Sequence, residues 1–316
     1  MKNLVGYTKG VNLGGWLSQC DYSDERLNYF IAEEDIAKIA SWGVDHVRIP
    51  IDYNVLQNED GSFSPKGFAR VDWALAMCEK YKLNTVLDLH KTMGFSFDKG
   101  ECESGFFDNK ELQERFYSLW IEIAKRYGGY SDRVAFELLN EITDQVFSSE
   151  WNRISTECIQ RIRNLAPNTI ILVGSYWNND AAAVKDLPAP YDEKVVYNMH
   201  CYDPLKFTHQ GATWTDLINP DERHDFEQFR IDAQYFMEHF ASACEAAERN
   251  NTVLYCGEYG VIDRVSPEDT VKWFKAIHTA FEELNISRCA WSYKQMDFGL
   301  SDERLSGVID ELIAYL

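Results

Sequence analysis

Short apolar runs alternate with amphipathic helical patterns along almost the whole chain. The apolar runs predict eight strands, and the patterns between them, with a period of about 3.6 residues, predict eight helices. Strict alternation of this kind requires a parallel sheet with the helices outside it. An open doubly wound sheet also satisfies it, but eight such units in about 250 residues or more are typical of a closed (β/α)8 barrel, the TIM barrel. We therefore predict an α/β fold in which residues 1–316 form a single (β/α)8 barrel domain.

The predicted elements have definite bounds. Strands are predicted at residues 8–13, 46–49, 84–90, 134–139, 169–173, 195–199, 252–256 and 288–292. Helices are predicted at residues 33–42, 68–81, 110–127, 150–165, 226–249, 267–284 and 305–315, and only a short helix fits in residues 179–186. The longest connection, residues 201–225, follows the sixth strand. It is too long for an ordinary barrel loop, so we expect an inserted segment over the active face of the barrel.

The charge balance limits the kinds of partner. The 316 residues include 31 basic and 51 acidic ones, which gives a formal net charge of -20. This charge disfavours nucleic acids and anionic membranes and suits a neutral or cationic ligand. No run approaches the roughly 18 apolar residues of a membrane span, and the amino terminus has no apolar signal-peptide core. We expect a monomer that is cytoplasmic or secreted by a route not visible in the sequence.

Eight cysteines are distributed without regular spacing. Cys78, Cys158 and Cys244 occur in helical patterns, while Cys256 and Cys289 occur in strand-like runs. This distribution predicts buried free thiols rather than a disulfide framework. No CxxC pair or Cys/His cluster has the spacing of a zinc site. We therefore expect no metal ion and no cofactor.

Two of the predicted buried strands lead to glutamates. Residues 134–142 form an apolar run that ends on Asn140 and Glu141, and residues 252–260 lead in the same way to Glu258. An ionisable group at the tip of a buried strand is costly, because desolvation penalises its charged form. The carboxyl ends of barrel strands meet at the face that carries active sites. The two glutamates therefore predict a pair of carboxylates in one site, as glycosidic-bond hydrolysis requires.

Polar or aromatic side chains stand at the ends of four further predicted strands. Taken alone, an arginine before a proline is usually a salt-bridged rim residue, and a strand-end histidine is more often a satisfied core residue. Six strand ends of one barrel all carry polar or aromatic side chains, and their occurrence together favours a functional site. These further residues are Arg48, His90, His200, Tyr202 and Trp291.

The two carboxyl groups of a glycoside hydrolase need different protonation states. We predict that Glu141, in the more apolar setting, has a raised pKa and acts as general acid and then as general base. Glu258, kept ionised by Arg48 and the hydroxyl of Tyr202, would act as the nucleophile. If the two carboxyl groups lie about 5 Å apart, the reaction proceeds through a covalent glycosyl-enzyme and retains the anomeric configuration.

Four further side chains are predicted to hold the substrate. Asn140 is placed to hydrogen-bond a sugar 2-hydroxyl, and Trp291 offers a flat apolar face for the pyranose ring. Trp177 and Trp214 are candidates for lining a glucan groove, with burial in packing as the alternative for each.

Several motifs, in order along nearly the whole chain, resemble glycoside hydrolase family 5. The resemblance implies a retaining mechanism, with Glu141 as acid/base and Glu258 as nucleophile. It also implies that Arg48 and Tyr202 support the nucleophile, and that the sugar is held by His90, Asn140, His200 and Trp291. The motifs are GVNLGGW (10–16), HVRIP (46–50), LDLH (87–90), LNE (139–141), HCY (200–202), GEYG (257–260) and Trp291.

Further motifs resemble a clostridial branch of endoglucanases within that family: FELLNE (136–141), FTHQ (207–210), LYCGE (254–258) and YKQMDF (293–298). This resemblance implies cleavage of internal β-1,4-glucosidic bonds in cellulose-type and mixed-linkage β-glucan polysaccharides or oligosaccharides. The opening motif also resembles fungal exo-β-1,3-glucanases of the same family. An exo-β-1,3-glucanase, a β-mannanase or a xylanase with the same catalytic pair therefore stay open, as do a non-catalytic carbohydrate-binding barrel and a metal-dependent hydrolase.

Overall fold

A closed barrel of eight parallel strands forms the centre of the protein, whose computed structural model describes residues 2–98, 100–101 and 103–316. Each strand pairs with the next in the chain, and the first pairs with the last. The strands are β1 (Lys9–Asn12), β2 (His46–Asp52), β3 (Asn84–Lys91), β4 (Val134–Glu137), β5 (Ile171–Val173), β6 (Val195–Cys201), β7 (Leu254–Tyr259) and β8 (Ser287–Ala290). The predicted (β/α)8 barrel is confirmed.

Helices of very different lengths connect the strands. They are α1 (Asp24–Tyr29), α2 (Glu33–Ser41), α3 (Tyr53–Leu56), α4 (Pro65–Lys80), α5 (Lys110–Tyr127), α6 (Ser148–Arg163), α7 (Tyr176–Asn179), α8 (Leu205–Thr208), α9 (Ala233–Arg249), α10 (Pro267–Leu284) and α11 (Ile309–Leu312). The predicted bounds of α5 and α10 agree with the structure. In both helices a side chain accepts a hydrogen bond from a backbone N–H of the first turn: Asn109 for α5 and Ser266 for α10.

Successive residues of each strand enter two different cores. On β3, Leu87 and Leu89 pack into the large core shared with the helices. Val86 belongs to a small cluster inside the barrel, and because strand side chains alternate, Asp88 and His90 share its inward face. Six strands contribute to that inner cluster, through Val86, Ala135, Leu172, Val196, Tyr255 and Cys289.

Two helix predictions are wrong. The helix predicted at 226–249 begins only at Ala233, where the side chain of Asp232 accepts a hydrogen bond from the N–H of Tyr235. Before it, the rings of Phe226 and Phe229 pack on Phe207 with centroids 5.8 Å away, and this contact holds the segment outside the helix. The helix predicted at 305–315 is broken into α11 and two 3-10 turns, Glu303–Leu305 and Ile313–Tyr315.

The fifth connection also departs from strict alternation. It contains only the single turn α7 and a 3-10 helix, Ala181–Asp186, as the short predicted segment 179–186 suggested. Within α7, Trp177, Asn178 and Asn179 have left-handed φ angles of 54°, 56° and 59°. This conformation is uncommon outside glycine and gives the chain a sharp change of direction at the carboxyl end of β5.

The segment after β6 lies at the carboxyl end of the barrel, as predicted. The N–H of Ile262, beyond β7, donates to the carbonyl of Thr208 at 2.8 Å. The ring of His209 packs against Phe298, beyond β8, with centroids 5.2 Å apart. The inserted segment therefore packs against the loops that follow two other strands.

The seven cysteines in the described residues are free, whereas Cys102 lies outside them. Five are buried, but Cys20 and Cys244 are partly exposed, so the prediction of a buried thiol is wrong for Cys20 and also for Cys244. Its position on α9 leaves one side of the residue toward solvent. Among the described residues, no helix has the length and apolar character needed to cross a membrane.

Candidate active site

Glu141 and Glu258 approach each other at the carboxyl end of the barrel. A carboxylate oxygen of Glu141, a carboxylate oxygen of Glu258 and a ring nitrogen of His200 all lie within 4.8 Å of one another. Glu141 lies beyond the end of β4 with a left-handed φ of 40°. A non-glycine residue in this conformation is uncommon, and such residues concentrate at functional sites.

Glu258 reaches the site through an irregularity in β7. The register of β6 and β7 shifts so that Met199 pairs with Cys256 but His200 pairs with Glu258. Gly257, between them, donates its N–H to Asn198 Oδ1 at 2.9 Å. A Cβ atom at Gly257 would lie 2.8 Å from that oxygen, so only glycine permits this close approach.

Two donors hold the carboxylate of Glu258. Arg48 Nη1 donates to Oε1 at 2.7 Å, and the hydroxyl of Tyr202 donates to Oε2 at 2.8 Å. The side chains of Glu258 and Arg48 are almost completely excluded from solvent. Hydrogen bonds from charged or phenolic donors in such a setting stabilise a carboxylate. The structure thus brings together the three residues that the sequence predicted for the nucleophile.

Glu141 has different surroundings. Burial raises the pKa of its carboxyl to about 7, although the amide of Asn178, which donates to Oε2 at 3.0 Å, acts in the opposite direction. Only 8% of the residue is exposed. A carboxyl group with a pKa near neutrality is matched to donating and then accepting a proton. The two glutamates therefore have the unequal environments that an acid/base and a nucleophile require.

His200 contacts Glu141 directly. Its Nδ1 lies 2.7 Å from Glu141 Oε1, and its Nε2 lies 3.3 Å from Asn179 Nδ2. Because the Asn179 amide donates, Nε2 accepts, and Nδ1 carries the proton that points to Glu141. Burial lowers the pKa of His200 to about 4, so the ring is neutral at neutral pH. A neutral donor of this kind orients the Glu141 carboxyl without adding a charge.

Arg48 joins the two halves of the site. Besides Glu258, it donates from Nε and Nη2 to the two carboxylate oxygens of Glu137, at 2.7 and 2.8 Å. Its Nη2 also lies 3.0 Å from Asp88 Oδ2 and donates to Asn140 Oδ1 at 2.9 Å. Burial alone would lower the pKa of Arg48, but the charges of these carboxylates outweigh it and raise that pKa well above its usual value. The guanidinium is therefore a permanent cation in the barrel.

Asp88 and His90 extend this network toward the substrate face. His90 Nδ1 lies 2.6 Å from Asp88 Oδ2, and burial raises the pKa of Asp88 to about 7, opposed by the charge of Arg48. On its other side, the ring of His90 stacks on Trp291, with centroids 5.7 Å apart and planes 2° from parallel. Trp291 is only 6% exposed, so little of its face is open to a sugar.

Asn140 has one group left for a ligand. Its Oδ1 accepts from Arg48, while its buried Nδ2 has no hydrogen-bond partner among the described residues. An unsatisfied buried donor is costly, and a bound hydroxyl would satisfy it. This geometry supports the predicted contact to a sugar hydroxyl.

The two tryptophans proposed for a groove lie at the edge of the site. Trp177 is 51% exposed and adjoins Asn178, which contacts Glu141. Trp214 is 48% exposed and contacts His209, whose ring packs on Tyr202 with centroids 5.0 Å apart. Neither side chain is buried in packing.

Sequence reasoning missed several members of the site. Asp88 could have been found by alternation, because it is two residues before His90 on the same strand. Glu137 lies within the apolar run that leads to Glu141, and nothing in that run indicates a role for it. The side chains of α7 had no sequence signal, since a left-handed turn places them. The missed residues are Asn12, Asp88, Glu137, Asn178, Asn179 and Asn198.

The family model described as cellulase (glycosyl hydrolase family 5) matches residues 7–297. The chain belongs to glycosyl hydrolase family 5. This confirms the family resemblance noted in the sequence and makes the barrel a glycoside hydrolase. The match extends over all eight strands, from β1 to β8.

Relatives of this family 5 chain carry related names. Cellodextrinase A of Ruminococcus flavefaciens is 61% identical over 283 residues, which cover 90% of this chain and 84% of the relative. Endoglucanase C of Acetivibrio thermocellus is 33% identical over 340 aligned positions, covering 99% of this chain and 98% of the relative. The second likeness agrees with the predicted clostridial endoglucanase branch.

Solved structures of similar proteins have the same fold. The endoglucanase Cel5A of Thermotoga maritima has a TM-score of 0.82 and 25% identity, with 98% of this chain and 97% of that chain covered. Clostridial cellulose synthase subunit Z of Clostridioides difficile has a TM-score of 0.83 and 25% identity, with 97% and 99% covered. The family 5 barrel of this protein therefore superimposes over nearly its whole length.

Proposed function

We propose that this family 5 protein is a retaining endo-β-1,4-glucanase that cleaves internal bonds in cellulose-type and mixed-linkage β-glucans. The observation that carries the proposal is the approach of the Glu141 and Glu258 carboxylates to within 4.8 Å. Retaining glycosidases have carboxyl groups about 5–5.5 Å apart, whereas inverting ones leave about 6.5–9.5 Å for a water. The endoglucanase names of relatives support endo action on a glucan.

In the first step, a Glu258 carboxylate oxygen attacks the anomeric carbon while the bond from that carbon to the leaving oxygen breaks. The leaving oxygen takes the proton of the Glu141 carboxyl. Arg48 and Tyr202 hold the attacking carboxylate of Glu258 in position, since each donates to a different oxygen. After this step Glu258 carries the sugar as a glycosyl ester, and the Glu141 carboxyl is ionised.

In the second step, the Glu141 carboxylate removes a proton from water, and the water oxygen attacks the anomeric carbon. The ester bond breaks and Glu258 leaves as a carboxylate. His200, which donates to Glu141 Oε1, stabilises the ionised state of Glu141 between the two steps. Two displacements at one carbon restore the original configuration.

A second candidate substrate is a short soluble cellodextrin rather than a polymer. The name of the 61% identical relative, Cellodextrinase A, favours this class. The chemistry at Glu141 and Glu258 would be the same, and the difference would lie in how many sugars bind outside the cleavage point.

The test is product analysis on barley β-glucan, carboxymethylcellulose, cellopentaose, laminarin, glucomannan and xylan. Mixed oligosaccharides from the first two, with rapid loss of viscosity, are expected from an endoglucanase. Cleavage of cellopentaose with polymers left intact would establish the cellodextrin alternative. Glucose released only from laminarin would move the protein to exo-β-1,3 action, and products only from glucomannan or xylan would make it a mannanase or a xylanase.

The proposal extends to the assembly state. We propose that the protein acts as a monomer, because Arg48, Tyr202 and His200 of the same copy already hold the Glu141 and Glu258 carboxylates. Light scattering after size-exclusion chromatography should give a mass near 36.6 kDa. A mass twice as large would reject this part of the proposal.

A further inference from the structure

The end of β6 presents two sets of side chains. His200 and Tyr202 contact the catalytic carboxylates. Cys201 and Asp203 alternate with them and belong instead to a group formed with His239, which lies on α9. The two residues adjacent to Tyr202 in the chain, Cys201 and Asp203, thus belong to a second cluster on the outer side of the barrel.

The second cluster contains three different metal-binding groups. The Cys201 sulfur, an oxygen of Asp203 and a ring nitrogen of His239 all lie within 4.8 Å of one another. Asp203 Oδ2 and His239 Nε2 are 3.2 Å apart. In a tetrahedral zinc site, bonds of about 2.0–2.3 Å place such ligand atoms roughly 3.3–3.7 Å apart. The distance between Asp203 and His239 therefore already approaches that of a zinc site.

His239 gives an independent indication of a ligand. Its Nε2 is buried and has no partner with hydrogen-bond geometry among the described residues, although Asp203 is near. A buried nitrogen in this state is costly unless something binds it. The side chains of His239 and Asp203 are 23% and 36% exposed, so an ion can enter from solvent.

We propose that Cys201, Asp203 and His239 form a binding site for a thiophilic divalent cation, with zinc as the best fit. A thiolate, a carboxylate and a neutral imidazole carry a total charge of -2, which balances the ion. Three protein ligands leave a fourth position for water. The charge of Asp180 also acts on both Cys201 and His239 and favours a cation there.

The catalytic cluster of Glu141, His200 and Glu258 is a poorer site for the same ion. It has no sulfur ligand, and the permanent cation of Arg48 lies 2.7 Å from Glu258. A thiolate ligand therefore distinguishes the two clusters in any measurement that detects a metal–sulfur bond.

Binding of the ion would act on the hydrolytic site through Tyr202. Because Cys201 and Asp203 flank Tyr202, an ion that joins them to α9 restrains the residue that donates to Glu258. We expect the ion to stabilise the folded protein. An effect of the ion on turnover rests on the proposed hydrolytic function, whereas binding of the ion does not.

The test is titration of the metal-free protein with Co²⁺, which gives a near-ultraviolet charge-transfer band when a thiolate binds it. The proposal predicts this band in the parent protein and its loss in Cys201→Ser. Cys244→Ser is the matched control, because Cys244 lies on α9 outside the cluster, and it should keep the band. His239→Gln and Asp203→Asn should weaken zinc binding at least about tenfold in competition with a chromophoric chelator.

Two outcomes would overturn the proposal. One is the absence of a thiolate band in the parent protein, and the other is a band that persists in Cys201→Ser. Should Cys201→Ser not fold, unchanged zinc affinity in both His239→Gln and Asp203→Asn would be equally decisive. These measurements use no glucan, so a failure of the proposed hydrolytic function would not affect them.

Discussion

Arg48 Nη1 donates a hydrogen bond of 2.7 Å to Glu258 Oε1 inside a barrel from which solvent is almost excluded. The same guanidinium binds both oxygens of Glu137. A buried cation with several carboxylate partners cannot turn toward one of them without losing another. The position of Glu258 therefore depends on residues from β2 and β4 as well as on its own strand.

Glu258→Ala should abolish turnover while leaving the fold intact. Loss of an enzyme nucleophile lowers kcat by roughly 10⁴-fold or more. Azide, small enough for the space left by the side chain, should restore part of the activity on an activated aryl glycoside and give a product of inverted configuration. Full activity in this variant, with circular dichroism as the control for folding, would remove Glu258 from the mechanism.

Glu141→Ala should lose activity according to the leaving group. Removal of a general acid costs roughly 10²–10⁴-fold when the leaving oxygen needs a proton. The loss should be small for glycosylation by aryl glycosides with acidic phenols, which leave without protonation. An equal loss of the glycosylation rate on all substrates would exclude the acid role of Glu141.

The raised pKa of Glu141, about 7, predicts an alkaline limb in the pH–rate profile. Glu141 must be protonated for the first step, so kcat/KM should fall as pH rises through about 7. Measurement of kcat/KM from about pH 4 to 9 checks this. A profile flat through neutrality would contradict it.

The same shift predicts a change in stability with pH. Because the pKa of Glu141 is higher in the folded protein than in the unfolded chain, protonation stabilises the fold. This contribution is fully present below about pH 4 and is lost as pH rises through about 7. Thermal unfolding of Glu141→Gln should therefore show a smaller decrease in Tm across this range than the parent, and an identical decrease would contradict the prediction.

Glu137→Gln should weaken catalysis although residue 137 acts through Arg48 and not by contact with the substrate. It removes a buried negative charge that holds the guanidinium of Arg48, and breaking a buried pair costs roughly 3–5 kcal/mol. We expect a lower Tm and a kcat reduced by about 10–100-fold, with little change in KM. Glu122→Gln, which breaks only the partly exposed pair with Arg126, should change stability by less than about 1 kcal/mol. Equal effects of the two variants would reject the positioning role of Glu137.

Trp177→Ala and Trp214→Ala should raise KM for long glucans several-fold, because each side chain is about half exposed at the edge of the site. Stacking of a sugar on an aromatic ring contributes roughly 1 kcal/mol. Activity on a short aryl glycoside should change little. Tyr130→Ala is the control, since Tyr130 is exposed before β4, at the opposite end of the barrel. A rise in KM as large in Tyr130→Ala would end the groove assignment.

Much of the barrel could be predicted because the sequence features that determine its helices and strands are local. Capping side chains and a regular apolar stripe define α5 and α10, and their bounds were predicted correctly. The start of α9 was wrong because Phe226 and Phe229 are apolar at helical spacing, yet they pack on Phe207. Helix propensity does not show which side chain an aromatic ring will pack against.

The order of residues along the chain alone determined that strands and helices alternate and that Glu141 and Glu258 follow two strands of one sheet. Hydrophobic periodicity is a local property, so it can be read without the fold. Only the tertiary structure decided that Asp88 and Glu137 share Arg48, and that burial raises the pKa of Glu141. It also decided that His239 meets Cys201 and Asp203 from a distant helix. Distances and desolvation arise from packing between segments far apart in the chain, and no sequence spacing records them.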